Sequence, residues 1–259
     1  MTDETRSPIK DKPLRLPGQS IDEQRQKLIE DWFEHPALFA LILTVFAGVE
    51  WWRDYAGAPP VPWHMTALAL AAIAFAARRF YRLRPRLHAL RLASEGEKVV
   101  GQYLEGLRAK GYRVFHDVVG TGFNVDHVLI GPAGVFTVET KTRSKPRRGD
   151  ARIVFDGKAL TVGDREGDDR IVVQALAQAR WLREVLAEST GKRLPVRPVV
   201  LFPGWFVEPR PGATREIWVL EPKALPAFLD NTAQALMPEE VALASLHLSR
   251  LIRVRERDR

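Results

Sequence analysis

Apolar residues follow two different patterns along this 259-residue chain. Two early runs, PALFALILTVFAGVEWW (36–52) and VPWHMTALALAAIAFAA (61–77), are apolar on nearly every face, and the turn-rich RDYAGAPP joins them. A surface helix of a soluble domain carries a polar stripe, which neither run shows. At 1.5 Å per residue, 17 apolar residues reach the short end of what spans a bilayer core. The pattern predicts a transmembrane helical hairpin over 36–77, with a buried hairpin in a soluble domain as the plainer alternative. From Ser94 onward, helical and alternating patterns take turns. A helix is predicted over 95–110, ending at Gly111, then strands at 112–118, 124–130, 134–142, 151–155 and 158–162, the last two turning at Asp156-Gly157. A long amphipathic helix follows over 169–188, then strands at 196–202 and 216–220 and helices at 223–230 and 238–254.

Charge gives the hairpin a direction. Lys and Arg number six before the first span and six just after the second, against Arg53 alone in the loop. The positive-inside rule then puts both termini in the cytoplasm, which locates the protein in the inner (cytoplasmic) membrane with two spans. Glu50 and His64 lie at the outer ends of the spans and read as solvated interfacial groups. Residues 1–35 read as a flexible charged tail, turning helical at IDEQRQKLIEDWF, and show no signal peptide. Residues 78–93 read as a basic juxtamembrane linker in which Pro85 breaks or bends the helix. Its six arginines, Arg78 to Arg91, suit anionic lipid head groups first and nucleic acid second. The net charge of +7 comes from such clusters. The chain has no cysteine, which excludes disulfides and thiolate zinc sites.

Candidate chemistry concentrates in NVDHVLIGPAGVFTVETK, residues 124–141. If GPAG forms the loop and Ile130 faces Val135, Asp126 falls opposite Glu139, and the period of two puts Lys141 on the same face. Carboxylates facing each other raise each other's pKa, so a cation is their natural partner. Asp126 also interrupts an apolar strand, where an unpaired buried carboxylate would be costly. His127 points to the opposite face and reads as structural. Hard oxygen donors without cysteine favour Mg²⁺ or Mn²⁺.

This constellation resembles the core of the PD-(D/E)XK nuclease superfamily, and 94–206 resembles, more narrowly, the nuclease-related domain (NERD) family. SEGEKVVGQYLEGL, the central hairpin, VVQALAQARWL and VRPVVLFPGW carry the resemblance. It implies an α/β fold with a mixed central sheet flanked by helices, preceded here by the hairpin. The domain would occupy 94–220, with 221–259 as a C-terminal helical extension. It further implies that Asp126, Glu139, Glu97 and the Thr140 backbone carbonyl hold the metal, that Lys141 handles the attacking water, and that Gln174 faces the site. Locally, Ser94 and Glu97 also form a capping box, and Gln174 and Gln178 read as a solvated helix flank. Arg143, Lys145, Arg147 and Arg148 follow the catalytic strand and could clamp a nucleic-acid backbone or simply form a solvated loop.

The expected function is metal-dependent phosphodiester hydrolysis in nucleic acid, DNA before RNA, at a membrane. The competing expectation is a non-catalytic, membrane-tethered module that binds nucleic acid or recruits partners.

Overall fold

The structure, a computed structural model, describes residues 14–59, 62–145, 152–162 and 165–257. The chain divides into two compact units, Ser20–Leu92 on one hand and Met1–Gln19 with Ala93–Arg259 on the other.

The first unit is helical. Helix α1 (Gln19–Ile29) runs through a π-turn at Glu30–Glu34 into α2 (His35–Tyr55), and α3 (Pro62–Glu105) returns. At the loop end, Trp51 donates from Nε1 to Thr66 Oγ1 at 2.9 Å and meets the Trp63 ring edge-on at 5.3 Å. Among the described residues, α2 is the one helix long and apolar enough to cross a membrane. It leaves Leu38, Phe39, Leu41, Val45, Phe46 and Trp52 exposed. Residues 62–77 of the second predicted span belong to α3, which continues through the arginines and Pro85 to Glu105 and, in its described residues, holds no stretch apolar enough to cross a membrane by the same measure. Pro85 does not end the helix as the sequence suggested. It forfeits one hydrogen bond, but good helix formers surround it on both sides. The predicted linker 78–93 and the start of the predicted helix at 95 are thus one uninterrupted helix.

The second unit is built on a five-stranded mixed sheet. Its strands are β1 (Arg113–Val119), β2 (Asn124–Gly131), β3 (Gly134–Thr140), β7 (Val196–Leu201) and β9 (Trp218–Leu220), and they lie side by side in that order. The first three are antiparallel, whereas β7 runs parallel to β3 and β9 parallel to β7. Parallel neighbours need a crossover, and α4 (Arg170–Thr190) supplies most of it between β3 and β7. One face packs Val128, Ile130 and Val135 under Ala179, Leu182 and Leu186 of α4 and Leu248 of α6 (Pro238–Arg257). The other packs Leu129, Phe136 and Val138 under Val100 and Leu104 of α3 and Leu225 and Leu229 of α5 (Leu225–Asp230).

A second sheet is formed by β4 (Arg152–Phe155), β5 (Leu160–Val162), β6 (Arg165–Asp168) and β8 (Phe206–Pro209), in the order β6-β5-β4-β8. Strands β4 and β5 form the hairpin expected at Asp156-Gly157, where Asp156 Oδ1 accepts from the amides of Lys158 and Ala159, both at 2.8 Å. Strands β6 and β8 escaped the sequence reading. They are short, and REGD carries none of the β-branched or aromatic residues that mark a strand.

Residues 14–18 also differ from expectation. Instead of belonging to a flexible tail they pack against the second unit, with Arg15 only 4% exposed.

Candidate active site

The β2–β3 register is the one the GPAG turn requires: Ile130 pairs with Val135 and His127 with Val138. One step further in that register, Asp126 stands opposite Glu139. The ladder does not continue there by main-chain bonding alone, because Asp126 Oδ2 accepts the Thr140 amide at 2.7 Å. On its other side β3 stays paired with β7 through Thr140, and the Lys141 amide donates to Leu201 O at 2.9 Å. The strand end is therefore held from both sides.

Glu139 is buried and accepts from three side chains. Lys141 Nζ lies 2.6 Å and Gln174 Nε2 2.9 Å from its Oε1, and Gln178 Nε2 lies 2.7 Å from its Oε2. Lys141 Nζ also donates to Gln174 Oε1 at 3.2 Å. Gln178 lies on the buried face of α4, and Gln174, one turn earlier, is exposed at its edge. The sequence reading singled out Gln174, whereas Gln178 is the more buried and binds Asn124 O as well, at 3.0 Å. Its spacing of four residues from Gln174 was the available signal, since residues so spaced share a helix face.

Glu97 approaches from α3, and the glycine before it explains how. A Cβ at Gly96 would lie 1.7 Å from Thr142 Oγ1, so only glycine lets the helix come this close to the chain leaving β3. The Glu97 carboxyl is pushed up to about 8, chiefly by burial and then by the charges of Asp117 and Glu139, against a hydrogen bond from the Gly18 backbone. Asp126 is held well above the ordinary carboxylate range by burial first, then by Glu139 and Glu97. Three carboxyl groups thus influence one another here, and two favour protonation in the absence of a cation.

The donor chemistry fits a hard divalent ion. Two carboxylates face each other across the hairpin, a third influences both, and Gln178 Oε1 is a buried acceptor without a hydrogen-bond partner. Among the described residues, however, no group of three or more His, Cys, Asp or Glu side chains is drawn together closely enough to hold a metal. Glu139 is instead engaged by Lys141 and the two glutamines.

His127 lies on the opposite face, as expected, and is fully buried. Its Nδ1 is 2.9 Å from His116 Nδ1 and its Nε2 is 3.4 Å from Thr140 Oγ1, while His116 Nε2 is 2.9 Å from Glu105 Oε1. Burial, then the charge of His116, hold His127 well below the usual histidine range.

Of the four basic residues after β3, Arg143 and Lys145 are described, and Arg147 and Arg148 lie outside the described residues. Arg143 is anchored through its carbonyl, which accepts from Trp205 Nε1 at 3.0 Å, and its guanidinium is 3.8 Å from Asp168. Lys145 is exposed. The sequence reading missed Asp117, which influences Glu97 most among the charges, because nothing local in β1 distinguishes it.

Residues 92–203 match the family model described as a nuclease-related domain, NERD, which covers less than half of the chain. No curated protein matches the chain. Among solved structures, SfsA from Pyrococcus furiosus in complex with Ca²⁺ is similar at 13% identity, covering 54% of this chain and 55% of that one, with a TM-score of 0.23. The chain thus spans about half the length of SfsA, and at that score the likeness carries no structural inference.

Proposed function

We propose that the chain is a membrane-anchored, divalent-metal-dependent nuclease that hydrolyses phosphodiester bonds of nucleic acid, with DNA as its substrate. The observation that carries this reading is the meeting of Asp126, Glu139 and Lys141 at the open end of the β2–β3 hairpin, within a nuclease-related domain. Asp126 and Glu139 would hold Mg²⁺ or Mn²⁺, with the Thr140 carbonyl and Glu97 completing the set. When bound, the ion would supply Lewis-acid polarisation of the scissile phosphate and a lowered pKa for an attacking water.

The remaining work falls to the side chains. Lys141, directed at Glu139 by Gln174, orients the water and offsets negative charge growing on the phosphoryl oxygens. Gln174 and Gln178 fix both oxygens of Glu139, so this carboxylate is positioned before substrate arrives. Arg143, Lys145, Arg147 and Arg148 would bind the phosphate backbone next to the site.

Anchoring is proposed through 36–77, with both termini and the nuclease-like domain in the cytoplasm and Arg78 to Arg91 against anionic lipid. The exposed apolar surface of α2 supports the first span, and the apolar run 61–77 of the sequence supports the second. A reporter fused after Arg259 should be active only in the cytoplasm, and the protein should resist carbonate extraction.

A second reading, a tethered module that binds nucleic acid without cutting it, is favoured by the engagement of both Glu139 oxygens with protein donors. Incubating detergent-solubilised protein with DNA in Mg²⁺, Mn²⁺ or chelator decides between them. Metal-dependent cleavage that disappears in Asp126→Ala and Glu139→Ala supports the nuclease, whereas binding without cleavage under every ion supports the module.

A further inference from the structure

Arg15 stands outside the nuclease-related domain of 92–203 yet is buried against it. Its Nε donates to Asp117 Oδ2 at 2.7 Å and its Nη1 to Glu256 Oε1 at 2.6 Å. Burying an ion pair costs much of what the attraction returns, and apolar residues of similar size commonly stabilise as well or better. Stability alone therefore explains poorly why a guanidinium sits here.

Its neighbours suggest another use. Asp117 occupies the left-handed backbone region, at φ 49°, which aspartate and asparagine tolerate better than most residues. Its second oxygen, Oδ1, accepts from Asn124 Nδ2 at 3.1 Å. Asn124 in turn accepts Gln178 Nε2 on its carbonyl, and the same Nε2 donates to Glu139 Oε2. A continuous hydrogen-bonded route thus leads from Arg15 to one oxygen of Glu139. The two donations of the Gln178 amide fix its plane, so a shift of Asn124 turns the amide away from the carboxylate.

The rest of the segment is fitted to the same end of the domain. Pro17 fills the space beside Gly101, where a Cβ would come within 2.6 Å of its Cγ. The Gly18 backbone hydrogen-bonds Glu97. Residues 15–18 therefore touch the routes to two of the carboxyl groups at the site, and the chain continues directly from them into α1.

We propose that Arg15 is a positioning residue for Glu139, acting through Asp117, Asn124 and Gln178, and that the segment 14–18 is by this means a built-in part of the nuclease-like site. The catalytic consequence rests on the function proposed above, whereas the effect on Gln178 does not.

The test uses the whole chain in detergent with selectively ¹⁵N-labelled glutamine, comparing wild type, Arg15→Met, Arg15→Lys, and the neutralised triple variant Arg15→Met/Asp117→Asn/Glu256→Gln. The triple variant leaves no buried carboxylate facing a lost arginine, so it remains informative if Arg15→Met alone fails to fold. The side-chain amide resonances of Gln178 should shift in the triple variant although its melting temperature stays near that of wild type, and Arg15→Lys should bring them part of the way back. With DNA and Mn²⁺, kcat should fall by about tenfold or more while KM stays within about twofold, as expected for a displaced catalytic group. A folded triple variant with native Gln178 resonances overturns the proposal. Wild type that cleaves no DNA under any divalent ion sinks the nuclease reading instead, and the Gln178 resonances still decide the role of Arg15.

Discussion

The two faces of the β2–β3 hairpin handle buried polar groups in opposite ways. On one face, His127, His116, Glu105 and Thr140 form a chain in which each group has a partner. On the other, Asp126 and Glu97 lie near Glu139, and their pKa values rise because burial, and after it like charges, oppose ionisation. The first arrangement is satisfied as it stands and suits a structural role. The second leaves Asp126 and Glu97 favouring their protonated forms unless a cation is near, the kind of imbalance that clusters at functional sites.

The sharpest way to break this contrast is to remove groups from the acidic face. Asp126→Ala and Glu139→Ala should lower single-turnover DNA cleavage by about 10²- to 10³-fold, with Lys141→Ala nearly as severe. Circular dichroism of the first two should remain native, although Asp126→Ala unpairs the Thr140 amide and Glu139→Ala unpairs Lys141 and Gln178, at about 1–3 kcal/mol in urea unfolding.

Opposite pH responses come next. Glu97 has a folded pKa of about 8, above its ordinary 4.5, so it binds more protons folded than unfolded between those values. Its contribution to stability is complete below pH 4.5 and is lost as pH rises through 8. His127 is shifted downward, so its contribution is present above the ordinary histidine pKa of 6.5 and is lost as pH falls through its lowered folded value. The two slopes oppose each other below pH 6.5 and only the acidic one remains above it. In chelator, the melting temperature should fall by several degrees, on the order of 5 °C, between pH 6.5 and 8. Glu97→Gln should make that limb shallower, leaving the part that Asp126 contributes with the same sign, and Mn²⁺ should flatten it in wild type. A limb of unchanged slope in Glu97→Gln would remove this acid from the account.

The histidine face should respond in stability and not in rate. His127→Leu strands His116 and Thr140 partners and should cost about 1–3 kcal/mol in urea unfolding. Its cleavage rate at saturating DNA should stay within about twofold of wild type, because this face holds the strand without touching substrate. The smallest effect is expected at the rim: Arg143→Ala/Lys145→Ala should weaken DNA binding a few-fold and reduce the slope of log K against log salt by roughly one for each phosphate no longer neutralised.

Much of this was legible in the sequence because it is local. A two-residue period and a four-residue loop fix the Ile130–Val135 register, and that register alone brings Asp126, Glu139 and Lys141 together. The helix carrying Gln174 and Gln178 was readable from its apolar stripe. What escaped depends on distant partners. Arg15 looks like any tail arginine until Asp117 and Glu256 enclose it, and Asp117 until its charge is seen to reach Glu97. Of the two outcomes a local rule allows at Pro85, a break or a bend, the break does not occur, because the surrounding helix outweighs it.

The bond between Arg15 and Glu256 joins positions 241 residues apart, so it also orders events in time. A ribosome delivers the hairpin, Glu97 and the glutamines long before it delivers Glu256. At 5–20 residues per second, the roughly 78 residues from Gln178 to Glu256 take about 4 to 16 seconds. During that interval the acidic face can assemble while the buried guanidinium still lacks one of its two carboxylates. A nascent chain stalled within it would therefore carry an unlocked site.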